Sequence, residues 1–93
     1  MIEYLYNAIR ASAGTEVTIS AKITDDNDIP ITDECVLLVH ENDKHIEVEG
    51  VYIENTWFFT IPAEVTAEMN GRYWYCFKHG DVQLSFKQPI YFV

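Results

Sequence analysis

Basic residues are scarce in this chain. Six Lys and Arg stand against fifteen Asp and Glu, a formal charge of -9 over 93 residues. A field of that sign repels phosphate backbones and anionic lipid, so neither nucleic acid nor a membrane surface is an expected partner. Long apolar runs are missing as well, and none approaches the ~18 residues of a spanning helix. The opening MIEYLYNAIRAS has no basic stretch leading into an apolar one, so no secretory signal peptide is expected. Only two cysteines occur, Cys35 and Cys76, in neither a CxxC nor a Cys-His spacing. That leaves zinc without support. In a reducing site of synthesis the two thiols should behave as small hydrophobes. Gly-rich phosphate loops and nucleophile elbows are absent. His40, His45 and His79 are scattered, and the carboxylate next to His40, Glu41, would point to the opposite face of a strand. No catalysis, cofactor or metal is expected.

What is abundant is the β-forming side chain. Val and Ile together number 18 against 4 Leu, with 13 aromatics and 7 Thr. Such residues suit a pleated surface and lose rotamer freedom in a helix. TEVTISAKIT at 15–24 alternates cleanly, with Val17, Ile19, Ala21 and Ile23 on one face. Further strands are expected at 2–10, 35–40, 44–48, 50–54, 56–61, 72–78, 82–87 and 90–93, some of these being parts of one bent strand. Turns fall about every 8 to 12 residues, the spacing of a β-sandwich. His79-Gly80-Asp81 reads as a hairpin turn, and the acidic stretch 25–34 as an irregular loop. Pro62 to Asn70 is the one helix candidate, a turn or two at most. The expectation is one all-β domain over 1–93, an antiparallel sandwich of seven or eight strands with a short helical turn near 62–70.

Gly71-Arg72-Tyr73-Trp74-Tyr75-Cys76 resembles the corner of immunoglobulin-type sandwiches, in which a Tyr two residues after a Gly bonds back to the preceding loop. Gly71 and Tyr73 stand in that relation. The position two after Tyr73 is Tyr75, and Cys76 comes one residue late, on the other face. The resemblance is to an immunoglobulin-like topology without its disulfide. It implies a Tyr73 hydroxyl bonded to backbone in 62–70, so that Tyr73→Phe would cost about 1–2 kcal/mol.

Three pieces taken together extend the resemblance: Ile29-Pro30-Ile31-Thr32-Asp33 before the apolar strand 36–40, Phe59-Thr60-Ile61-Pro62-Ala63-Glu64-Val65-Thr66-Ala67, and Gly71 to Tyr75. Over residues 15–93 the chain is similar to the small immunoglobulin-like domains of tailed-phage structural proteins, notably the N-terminal domain family of baseplate upper proteins. The resemblance implies a non-enzymatic virion or prophage component of tail, baseplate or fibre, located in the virion or the host cytoplasm. It would hold other virion subunits or its own copies through protein-protein contacts. The alternatives are a carbohydrate- or protein-binding module and a phage accessory protein acting on a host partner.

Two local features bear on sites. Asp25-Asp26-Asn27-Asp28 supplies oxygen donors, but the EF-hand positions counted from Asp26 fall on Ile31 and Leu37, so an acidic solvated turn is the expectation. If Trp57 and Tyr73 face the core, alternation turns Phe58 and Trp74 outward, the latter beside Arg72. On neighbouring strands these would form one apolar patch, and Phe58, Trp74 and Arg72 are the candidate interface.

Overall fold

Alternating side chains need two surfaces, one dry and one wet, and two sheets laid face to face supply the dry one. The computed structural model describes residues 2–4, 9–41, 43–85 and 87–93, with side chains from residue 11 onward. In chain order its elements are β1 (Ile2–Tyr4), β2 (Ile9–Ala11), β3 (Val17–Ile23), β4 (Cys35–Glu41), β5 (Lys44–Glu49), β6 (Val51–Ile53), β7 (Thr56–Ile61), α1 (Ala63–Thr66), β8 (Gly71–His79), β9 (Val82–Gln83) and β10 (Gln88–Phe92). One sheet runs β1-β3-β7-β6. The other runs β2-β10-β8-β4-β5, with β9 also against β8. Every pairing is antiparallel except β10 with β2, which is parallel.

The inward residues follow the sequence pattern. Ile19, Ala21 and Ile23 of β3 and Trp57, Phe59 and Ile61 of β7 are buried against Leu37, Val39, Tyr75, Phe77, Ile90 and Phe92 of the second sheet. Phe59 joins the sheets through Phe77, ring centroids 5.2 Å apart. Trp57 packs on Phe59 at 6.0 Å, and its indole N–H donates to the Ile31 carbonyl at 2.6 Å, tying the β3–β4 loop to the core.

Some expected elements are divided. The segment 2–10 contributes β1 to one sheet and β2 to the other, while its residues 5–8 lie outside the described residues. With β9 counted, this brings the described strands to ten. The expected strand 82–87 pairs regularly only at Val82 and Gln83, and Phe86 lies outside the described residues. After it the Ser85 hydroxyl accepts the Phe77 amide at 3.1 Å, standing in for a ladder carbonyl. Pro89 sits inside β10 opposite Trp74 of β8, and among the described residues pairing to β2 begins at Ile90. A residue without an N–H is tolerated there.

Gly50 is where the chain leaves the edge of one sheet, β5, for the edge of the other, β6. A Cβ at Gly50 would stand 2.5 Å from the Phe59 ring and 2.6 Å from the Trp57 ring, so the crossing requires glycine. The loop after β3 is more ordered than expected. Asp25 Oδ1 accepts the amides of Asn27 at 2.8 Å and Ile29 at 3.0 Å, and Thr24 bridges to Pro30. The helix is a single turn, with Pro62 extended at its N-cap.

Candidate interaction face

The outer face of the β2-β10-β8-β4-β5 sheet carries Trp74. On β8 the inward series is Tyr73, Tyr75 and Phe77, which turns Arg72, Trp74, Cys76 and Lys78 outward. Register places His40 and Pro89 beside Trp74, Leu38 beside Cys76 and Tyr91 beside Arg72. Trp74 is half-buried. The Arg72 guanidinium lies 5.1 Å and the Lys87 ammonium 4.9 Å from its ring centroid. Two cations over one indole attract its π-face, each worth about 0.5–1 kcal/mol at an exposed site, and hold the ring in place. Lys78 pairs with Glu47 at 3.2 Å. Three of the chain's six basic residues therefore gather on one face of a protein carrying -9.

Phe58 is elsewhere. It is half-buried on the outer face of β7, in the opposite sheet, with Ser20 and Val51 as its register partners. Val51 is 57% and Ile53 53% exposed on the adjoining edge strand. The single patch expected of Phe58, Trp74 and Arg72 is thus corrected to two, on opposite sides of the sandwich. The reason is topological: residues 62–70 carry the chain across the end of the sandwich, so strands consecutive in sequence fall in different sheets. Arg72 stays with Trp74.

The corner is corrected in its chemistry. Gly71 has φ +94, a left-handed conformation that glycine adopts without strain. Tyr73 is buried and meets Phe92 edge-on at 5.6 Å. Among the described residues, however, the polar ties of the 62–70 segment run through Thr66 rather than the Tyr73 hydroxyl. The Thr66 hydroxyl donates to the Thr15 carbonyl at 2.6 Å and accepts the Gly14 amide at 3.1 Å. Tyr73 instead lines an open groove of about 450 Å³ with Val39, Ile46, Val65 and Met69, rimmed by Asp43, Glu64 and Glu68.

Both thiols are free and buried. Cys35 belongs to the inward series of β4 and Cys76 to the outward series of β8, so the sheet itself separates them. Burial pushes the Cys35 thiol up to about 11, helped by the negative charge of Asp33. Burial also raises Cys76, opposed by the Lys78 ammonium. In the acidic loop, Asp25 spends its carboxylate on backbone amides.

A set of donors invisible to sequence reading stands at the other end of the sheet. Asp33, Glu34 and His79 each bring one ligand atom, all within 4.8 Å of one another. Asp33 and Glu34 are consecutive, and the pairing of Cys35 with His79 brings the sequence-distant imidazole to them. Only the strand register could have pointed to them.

No family model and no curated protein matches this sequence. Among solved structures the chain is similar to the Lin-41 filamin domain, with a TM-score of 0.64 and 15% identity over 96% of this chain and 90% of that one. It is also similar to part of the twitchin kinase region from C. elegans, with a TM-score of 0.50 and 13% identity over 98% of this chain. The chain spans 16% of that polypeptide. Likeness at such identities speaks to architecture alone: the fold is an immunoglobulin-like β-sandwich.

Proposed function

We propose that this chain is a non-enzymatic interaction module that docks on a protein partner through the face around Trp74, and that it serves as a structural component of a phage or prophage particle. The observation that carries the docking reading is the Trp74 ring held under Arg72 and Lys87 in an otherwise acidic protein. Trp and Arg are enriched among the residues that dominate binding energy at interfaces. Burial of a preset ring loses little side-chain entropy on docking. The virion assignment is supported by the resemblance of residues 29–33, 59–67 and 71–75 to tailed-phage immunoglobulin-like domains.

The competing reading is a sugar platform, which needs an aromatic face open for stacking. With two cations over the Trp74 ring, the arrangement favours a protein partner, and one with acidic groups for Arg72 and Lys87. The test is sizing by light scattering across concentration, together with binding to the structural proteins encoded beside it. Association by the wild type, lost in Trp74→Ala and in the Arg72→Glu/Lys87→Glu pair, is the expected result. Indifference of every binding measurement to both variants would remove the face from function. Saturable quenching of tryptophan fluorescence by oligosaccharides would move the reading to glycans.

A further inference from the structure

We propose that Asp33, Glu34 and His79 form a binding site for a divalent transition-metal ion of the zinc type, where the β3–β4 loop meets the β8–β9 hairpin. The site lies apart from the Trp74 face and does not rest on its role. Asp33 Oδ1 and His79 Nε2 are 3.3 Å apart, and the Glu34 carboxylate completes a set within 4.8 Å. A tetrahedral ion with bonds of about 2.0–2.1 Å holds its ligand atoms roughly 3.3 Å apart. Asp33 and His79 stand at that separation, with the Glu34 carboxylate within 4.8 Å of both.

The scaffold is already set. Cys35 pairs with His79 in the β4–β8 ladder, and the Gly80 amide donates to the Glu34 carbonyl at 3.0 Å. Glu34 keeps a left-handed φ of 54 in that arrangement. Its carboxylate lies over the hairpin, within 3.9 Å of where a Cβ on Gly80 would be. Backbone pairing thus brings together the two chain segments that carry the three donors. The neighbouring cation, Lys78, is paired with Glu47.

Chemistry selects the ion. An imidazole with two carboxylates suits zinc and its transition-metal neighbours, whereas calcium and magnesium take oxygen donors. Three protein ligands leave a fourth position for water or for a donor from a partner. The site is reachable, with the side chains of His79 37% and Asp33 73% exposed.

The experiment is a calorimetric titration of the whole chain with Zn²⁺, read in parallel by the imidazole NMR signals of His79. One saturable equivalent is expected, with the His79 signals shifting as it fills. His79→Gln and Asp33→Asn should each weaken binding at least about tenfold, since even outer partners of metal ligands cost 10–100-fold. His40 and His45, which face each other across β4 and β5, are the rival chelators, and His40→Gln should leave the affinity unchanged. Excess Ca²⁺ should not displace the ion. The proposal is overturned by an absence of saturable binding, by binding that survives His79→Gln, by loss in His40→Gln, or by His79 signals that stay fixed. The NMR reading uses the wild type and so does not depend on any variant folding.

Discussion

Cys35 shows how one position answers to several forces. Its thiol is inward and desolvated, and Asp33 adds negative charge nearby, so the thiolate is doubly disfavoured. Nucleophilic thiol chemistry needs the thiolate. Both cysteines should therefore resist a thiol reagent in the native protein and react fully once urea unfolds it, without reductant. A mass two units low, restored by reductant, would reveal a bridge. The same shift has a pH consequence. The folded thiol holds its proton above the ordinary value of 9.0, so this contribution to stability is intact below that pH. It is lost as pH rises from there towards about 11, which urea midpoints across that window should show as a decline. Gly50 answers to sterics alone. Gly50→Ala should destabilise by about 1–3 kcal/mol, because the new methyl enters the Phe59 and Trp57 rings.

At the scale of elements, the crossover between β7 and β8 is pinned by one hydroxyl. Thr66 is fully buried on a helical turn and bonds residues 14 and 15, which precede β3. Thr66→Val keeps the shape and removes both bonds, leaving the Thr15 carbonyl and Gly14 amide without those partners. A loss of about 1–3 kcal/mol in urea unfolding is expected. Tyr73→Phe should now shift the midpoint by less than about 0.5 kcal/mol, since among the described residues the ties of that segment run through Thr66. The pair of variants separates a threonine pin from a tyrosine corner. If Tyr73→Phe proves the costlier change, the corner is restored.

For the whole molecule, the two aromatic faces are what matter. Phe58 and Trp74 belong to opposite sheets, so their effects on any assembly should be independent. Losses in binding free energy from Phe58→Ala and Trp74→Ala should add in the double variant within about 0.5 kcal/mol. Strong non-additivity would mean a single interface bridging both. Each copy carries -9, so self-association should tighten as salt screens that repulsion. Sedimentation at rising ionic strength measures this directly. Weakening with salt would instead mark the cationic Trp74 face meeting an acidic surface.

The all-β class, the turn positions and most inward residues were legible in the sequence because a strand's period of two is local, and burial respects it. The strand 56–61 and the alternation of 17–23 carry over residue for residue. The outward positions of Phe58 and Trp74 were legible for the same reason. Their separation was not, because nothing within β7 or β8 records which sheet each joins. That depends on how residues 62–70 cross the end of the sandwich. Likewise Thr66 looks like an ordinary helix residue until the fold brings residues 14 and 15 to it. The Asp33–Glu34–His79 cluster exists only through the register of β4 on β8. Local periodicity determines which side of a strand is dry, whereas only long-range pairing decides which distant side chains share a site.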